Sequence, residues 1–254
     1  MRFGSLGSGS EGNGLVVEAG CTRVLIDCGF GLRDTAFRLG RLGLEPRALT
    51  AILVTHEHSD HVGGVAAFAG RHGIAVWGSF GTLAAAAQKL AGIGAVHAFD
   101  SHAAFAMGDI EVTPVPVPHD AREPTQFVLG DGAARLGVLT DLGVSTPHVE
   151  RCVTGCDALV LEANHCLELL AESDYPYPLK QRIAGRLGHL DNLSSAALLA
   201  RIDTRRLKHV VAAHLSQQNN TPERARAALA DALGCTGDWI GVADQAEGFG
   251  WRDL

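Results

Sequence analysis

Short apolar segments separated by glycine dominate the first third of the chain. Residues 14–19 and 22–27 predict two strands joined by a turn at Gly20. Residues 51–55 form another short apolar run that is compatible with a buried strand. Residues 82–91 are rich in alanine and leucine and therefore predict a helix.

The middle of the chain continues with alternating segments. Residues 110–117 alternate like a strand, and Pro114 and Pro116 favour a position at a sheet edge because proline cannot donate to the ladder. Residues 126–130 and 134–140 predict a β-hairpin, since a glycine-containing turn separates them.

Two strands and two helices are predicted in the last hundred residues. Residues 158–163 and 209–213 predict buried strands, whereas 192–202 and 222–233 predict helices. Thr221 is suited to cap the second helix. Hairpins with intervening helices indicate two sheets covered by helices, an αββα sandwich, rather than one parallel sheet.

Composition narrows the class of protein. A length of 254 residues, 46% of them hydrophobic and 19% charged, fits one globular domain over residues 1–254. A net charge of −7 without a long Lys/Arg run counts against a nonspecific nucleic-acid coat, although bound metal ions would add local positive charge. The absence of a CxxC pair, a signal peptide and a membrane-spanning run predicts free thiols and a cytoplasmic location.

A dense group of metal-binding side chains follows the apolar run at 51–55. His56, His58, Asp60 and His61 fall within six residues, and imidazole and carboxylate ligands suit zinc, manganese or iron. His56 and His58 can share one ion, while Asp60 and His61 lie where the chain turns into a helix and can face a neighbouring ion. The alternative is a solvated polar loop, but such a string at a strand end is improbable by chance.

This string resembles the signature of the metallo-β-lactamase superfamily, which implies an αββα sandwich with the site at one edge between the sheets. The resemblance implies His119, Asp141 and His214 as further ligands, and Asp27 as a residue that supports the ligands without binding metal. An aspartate at position 141 argues against a true β-lactamase, in which this position is commonly a cysteine.

Five histidines and two aspartates exceed what one ion needs, so we expect two divalent transition-metal ions, zinc or manganese, with iron as a further option. The assignment gives His56, His58 and His119 to the first ion, Asp60, His61 and His214 to the second, and Asp141 to both as a bridge. His72, His97, His102, His148 and His209 lack matching motifs and are expected to be ordinary surface or core residues.

Two more segments, residues 161–165 and 188–192, resemble sequence motifs of the ribonuclease Z branch of phosphodiesterases. There a glutamate orients a histidine that protonates the leaving oxygen, and Glu162 and His189 match these positions. A general acid of this kind makes chemical sense in phosphodiester cleavage. The alternative is that His189 caps the following helix and that Glu162 is incidental.

Four segments together resemble the YycJ/WalJ-like subfamily, described as metal-dependent nucleases with exonuclease activity on DNA. They are residues 5–13, 162–165, 177–180 and 214–220. Asp191 replaces the usual serine and Gln218 the usual glutamate of that pattern, which affects substrate details rather than the metal site. The chain also lacks room for the transfer-RNA-binding arm of ribonuclease Z between Asp120 and Asp141.

These observations predict a dinuclear phosphodiesterase or nuclease that uses a hydroxide held between the ions. Asp60, Glu162 and His189 are its expected catalytic residues, and the expected substrate is nucleic acid, DNA before RNA, with no membrane and no obligate protein partner. A small-molecule hydrolase acting on a thioester, a lactone or a cyclic phosphodiester is the alternative. A noncatalytic metal-binding scaffold is a third hypothesis.

Overall fold

The computed structural model describes all 254 residues, in fourteen strands and nine α-helices. The strands are β1 (Arg2–Gly7), β2 (Gly14–Ala19), β3 (Thr22–Ile26), β4 (Ala51–Leu53), β5 (Ala75–Ser79), β6 (Val96–Phe99), β7 (Phe105–Met107), β8 (Ile110–Pro116), β9 (Thr125–Gly130), β10 (Arg135–Leu139), β11 (Ala158–Glu162), β12 (His209–Ala213), β13 (Gly241–Val242) and β14 (Phe249–Asp253). The helices are α1 (Leu32–Arg41), α2 (Ser59–Val62), α3 (Val65–His72), α4 (Phe80–Ala85), α5 (Pro147–Val153), α6 (Leu167–Glu172), α7 (Tyr177–Ile183), α8 (Asn192–Arg201) and α9 (Pro222–Leu233).

The strands form two seven-stranded mixed sheets. Their orders are β14-β1-β2-β3-β4-β5-β6 and β13-β12-β11-β10-β9-β8-β7. In the first sheet β1, β2 and β3 pair antiparallel, and the strands from β3 to β6 pair parallel. In the second sheet β8, β9 and β10 pair antiparallel, and the strands from β10 to β13 pair parallel. Parallel neighbours place their carboxyl ends at one edge of a sheet, where sites form in such folds.

Side chains at successive strand positions point to opposite faces of each sheet, and the two sheets with helices on their outer faces form four layers. Val17 and Val160 face the apolar core between the sheets, whereas their neighbours Val16 and Leu159 belong to two other cores under the helices. Strands buried on both faces must be apolar at nearly every position, which explains the continuous runs in the sequence. The predicted αββα sandwich is thus confirmed.

Most predicted elements are present, and two differ in detail. The hairpin of β9 and β10 and the helix α9 with Thr221 as its cap are found as expected. The predicted helix at 82–91 is wrong in extent: it begins at Phe80, where Ser79 caps it, and ends at Ala85 because the chain then turns to bury Ala86 and Leu90. Packing in the core therefore overrides the helix propensity of the later alanines.

The proline-containing strand β8 is second from the edge of its sheet rather than at the edge. The edge strand β7 pairs only with Ile110, Glu111 and Val112, so Pro114 and Pro116 lie beyond it and need no donor on that side. No helix in the structure combines the length and apolar character needed to cross a membrane.

Candidate metal centre

The carboxyl ends of the parallel strands bring the predicted polar residues together. Asp27 follows β3, His56 comes three residues after β4, Asp141 follows β10 after one residue, and His214 follows β12 directly. Glu162 is the last residue of β11. Residues up to 187 positions apart in sequence, from Asp27 to His214, thereby meet at one edge between the two sheets, where the resemblance implies the site.

Three imidazoles form the first cluster. The ring centroid of His56 lies 4.5 Å from that of His58 and 4.9 Å from that of His119, and one ring nitrogen from each lies within 4.8 Å of the others. His119 donates from Nδ1 to the carbonyl of Gly188 at 2.9 Å, which leaves Nε2 as its lone-pair nitrogen. The buried Nε2 atoms of His56 and His119 have no hydrogen-bond partner. Buried, unpaired imidazole nitrogens that converge on one point fit a transition-metal ion.

Asp60, His61 and His214 form the second cluster. Asp60 Oδ2 lies 3.3 Å from Nε2 of both His61 and His214. Burial opposes the charge on Asp60, but the hydrogen bonds and charges of the two imidazoles outweigh it and hold its pKa far below the usual range. The short helix α2 supplies Asp60 and His61, as the sequence predicts for the point where the chain turns into a helix.

The carboxylate of Asp141 lies between the two clusters. Its Oδ2 is 3.0 Å from His61 Nε2, and its Oδ1 is 3.7 Å from Nε2 of His119 and of His214. Burial would raise the pKa of this carboxyl group, but His214 and His61 dominate and hold it well below its usual value. Asp141 is therefore an anion in contact with histidines of both clusters, as a bridging ligand must be.

Asp27 lies behind His61 and fixes its ring. One carboxylate oxygen accepts from the backbone of Thr55 at 2.8 Å, and the other accepts from the Thr55 hydroxyl at 2.8 Å and from His61 Nδ1 at 2.7 Å. The proton on Nδ1 leaves Nε2 of His61 free to act as a ligand. Asp27 and His214 both adopt left-handed backbone conformations, with φ of 60° and 53°. Such strain in non-glycine residues is concentrated at functional sites.

The buried Glu162 and the partly exposed His189 form a pair beside the clusters. His189 Nδ1 donates to Glu162 Oε1 at 2.7 Å, and the other carboxylate oxygen accepts from the backbone of Leu142 and Leu190. Burial would lower the pKa of His189, but the Glu162 carboxylate overcomes this and raises it to about 9. The helix-capping alternative for His189 is wrong, because Asp191 is the residue that caps α8.

The pattern-based assignment missed several polar neighbours of the site. Asn13 Nδ2 lies 3.1 Å from His61 Nε2 and 3.3 Å from the carbonyl of Asp60. Asn164 donates to the carbonyl of His214 at 2.9 Å, and the Ser8 hydroxyl accepts from the His214 amide at 3.0 Å. Asn13, Ser8 and Asn164 stand in segments 5–13 and 162–165, which the family resemblance singles out without giving these side chains a role.

The clusters open into a polar cleft of about 300 Å³ that no hydrophobic residue lines. Its lining residues are Ser10, His58, Ser59, Asp60, Asp141, Arg182, His189 and His214. The five histidines expected to have no role, His72, His97, His102, His148 and His209, belong to none of the clusters of potential ligands. Arg182 and His189 line the cleft and can contact an anionic group that enters it, and no hydrophobic side chain is present there to contact an acyl chain.

Comparison with known proteins agrees with this geometry. A family model described as a β-lactamase superfamily domain matches residues 22–214. The chain is 33% identical to the exodeoxyribonuclease YycJ of Bacillus anthracis, over 96% of this chain and 93% of that protein. It is 32% identical to the exodeoxyribonuclease WalJ of Streptococcus pneumoniae, over 95% and 91%. The fold is similar to that of the metallo-β-lactamase fold protein YhfI of Bacillus subtilis, with a TM-score of 0.76 at 15% identity, covering 99% and 98% of the two chains.

Proposed function

This chain belongs to the metallo-β-lactamase superfamily, and from that membership we propose that it is a dinuclear metal-dependent phosphodiesterase whose substrate is DNA. The observation that carries the proposal is the pair formed by the buried Glu162 and the cleft-lining His189 beside Asp141. Hydrolysis of a phosphodiester needs a proton for a poor leaving group, and this pair holds one at the cleft. In this proposal, residues 1–254 act as a single hydrolase domain.

The residues present fit two ions. His56, His58 and His119 would hold one, Asp60, His61 and His214 would hold the other, and Asp141 would contact both. When bound, such ions stabilise charge on phosphoryl oxygens and make water a nucleophile near neutral pH. Zinc and manganese both suit nitrogen and carboxylate ligands of this kind.

The chain's own residues orient the substrate and move the proton. Asp60 lines the cleft, and in this proposal it accepts a hydrogen bond from the attacking water. His189, held through Nδ1 by Glu162, can give a proton to the leaving alkoxide and regain it from solvent through the open cleft. The curated relatives named exodeoxyribonucleases support DNA as the substrate and an exonuclease mode.

Turnover of two small esters tests this proposal. The protein is expected to hydrolyse bis-p-nitrophenyl phosphate and to leave an acyl thioester uncleaved, because the cleft is lined only by polar side chains. The reverse preference would support the small-molecule thioesterase hypothesis. Stoichiometric metal without turnover of either ester would support a noncatalytic scaffold.

Elemental analysis tests the number of ions. Protein purified without chelator is expected to contain two transition-metal ions per chain, and His214→Ala is expected to contain about one, since the second cluster loses one of its own ligands. The surface variant His102→Ala, outside every cluster, is the control and should match the wild type. Saturation of the wild type at one ion, with His214→Ala unchanged, would contradict the dinuclear assignment.

Asp27→Asn is expected to weaken binding of the second ion by about 10–100-fold, because the amide has a single acceptor oxygen for the three donors of Thr55 and His61 and lacks the charge that favours the proton on Nδ1. Competition with a chromogenic chelator measures the affinity. Asp109→Asn is the matched control: Asp109 also accepts from a backbone amide and a threonine hydroxyl, but at the loop beside β3 and β8 and away from the clusters. Unchanged affinity in Asp27→Asn would remove Asp27 from the site.

A further inference from the structure

The segment between α6 and His189 has an unusual charge for this chain. Residues 175–189 contain Lys180, Arg182 and Arg186 and no acidic residue, although the whole chain carries a net charge of −7. The helix α7 within it buries none of its residues, and the ring of Tyr177 is 71% exposed. A helix that contributes nothing to a core and presents cations and an aromatic ring to solvent is typical of a single-stranded nucleic-acid surface.

Two glycines allow close backbone packing at the end of this segment, Gly188 within the segment itself and Gly143 between the segment and the residues that follow Asp141. A Cβ atom at Gly143, two residues after Asp141, would collide with the carbonyl of Arg186. A Cβ atom at Gly188, next to His189, would collide with the carbonyls of Arg182 and Ile183. The carboxyl end of α7 thus packs backbone to backbone beside the proposed bridging and acid residues. Backbone packing therefore determines the position of the carboxyl end of α7.

Arg182 is the cation that this packing brings into the cleft. It lines the cleft together with His58, Asp60 and His189. Its Nε donates to Asp120 Oδ2 at 2.6 Å, which anchors the guanidinium at one edge. Its two Nη atoms donate to nothing in the protein, and the side chain is 62% exposed. The free edge can therefore make a bidentate contact with a phosphate.

We propose that Arg182 binds the phosphate adjacent to the scissile one, and so makes the enzyme favour a polynucleotide strand over a small phosphodiester. The proposal rests on the phosphodiesterase function proposed above. A small diester has a single phosphate, which the metal centre takes, and leaves nothing for Arg182. A strand offers the next phosphate to the free Nη edge, and Arg186, exposed and without an ion pair, lies further along the same segment.

Binding and turnover of Arg182 variants test this inference. The probe is a fluorescent single-stranded DNA oligonucleotide with phosphorothioate linkages, titrated into the metal-loaded protein at several salt concentrations. Arg182→Ala is expected to raise Kd about tenfold and to reduce the slope of log Kd against log salt by about 0.7, the value for one lost contact to a single strand. Arg182→Lys keeps the charge but loses the planar fork, so an intermediate Kd is expected.

The matched control is Arg205→Ala, an arginine that is also exposed and paired with an aspartate but precedes β12, at the opposite edge of the sheet from the cleft. It should bind like the wild type. Hydrolysis of bis-p-nitrophenyl phosphate should be unchanged in Arg205→Ala and should fall less than oligonucleotide binding in the two Arg182 variants.

Two results with the Arg182→Ala variant would overturn the role of Arg182. One is a wild-type Kd in Arg182→Ala, which would show that the side chain makes no contact with the strand. The other is equal loss with the oligonucleotide and the small diester, which would assign Arg182 to the chemical step or to folding. Absence of oligonucleotide binding by the wild type would also contradict it. Failure of the proposed function is distinct, because it appears as absence of wild-type turnover on every phosphodiester.

Discussion

Replacing Asp141 by alanine is expected to abolish nearly all hydrolysis while the protein remains folded. The carboxylate lies within 3.7 Å of ring nitrogens from both histidine clusters, so its loss removes the side chain that would contact both of the proposed ions. Metal ions that bind only the native state add to its stability, so a lower melting temperature is expected. Circular dichroism, metal content and turnover of bis-p-nitrophenyl phosphate measure the three effects separately.

Asp157→Ala is the matched control for this variant. Asp157 is also a buried aspartate, paired with Arg206 and bonded to the Arg135 amide, but it precedes β11, at the opposite end of the sheet from the site. It is expected to lower the melting temperature and to leave metal content and turnover per folded molecule intact. Wild-type turnover in Asp141→Ala would show that Asp141 is not the bridge.

Replacing His189 by alanine is expected to slow cleavage of DNA by about 10²-fold or more, which is the usual contribution of a general acid. A nucleotide hydroxyl is a poor leaving group and needs the proton that His189 carries, whereas p-nitrophenolate leaves without one. Hydrolysis of bis-p-nitrophenyl phosphate should therefore fall much less. Steady-state rates on the two substrates, with the metal content of each preparation, give the comparison.

Two outcomes of this experiment would contradict proton donation by His189. Equal slowing of both substrates would assign His189 to binding or structure rather than to proton transfer. Loss of metal would make His189 a ligand, in keeping with the grouping of potential ligand atoms of His189 with those of Asp141 and His214, and would overturn the assignment of the second ion. Glu162→Gln should reproduce the substrate-dependent pattern more weakly, because the imidazole remains but loses the carboxylate that holds its proton.

The sequence predicts the first part of the site because its ligands are local. His56, His58, Asp60 and His61 fall in one short string, and the string itself carries the chemistry. Asp141 and His214 are individually ordinary residues at strand ends, and their role is inferable only from the family resemblance and the order of the strands. The hairpins and α9 are predicted for a similar reason: turn and capping residues act within a few positions.

What the sequence does not predict depends on packing between distant segments. Arg182 reaches the cleft only because Gly143 and Gly188 allow backbone contact, and no periodicity within α7 encodes that contact. Asn13 contacts His61, which is 48 positions away in the sequence. Asn13 lies in a glycine-rich loop, and no sequence pattern there indicates this contact. The early end of α4 likewise follows from burial of Leu90, which outweighs a strong local preference for helix.

Digestion of end-labelled DNA is the direct test of whether the protein is a metal-dependent nuclease. Single-stranded DNA labelled at either end is incubated with the protein after chelator treatment and after reloading with zinc or manganese, and the products are separated by length. The metal-free protein is expected to leave the DNA intact, and the reloaded protein is expected to release short nucleotides from one end. Absence of DNA and RNA cleavage with either metal, together with rapid hydrolysis of a thioester or lactone by the same preparation, would contradict the proposed nuclease function.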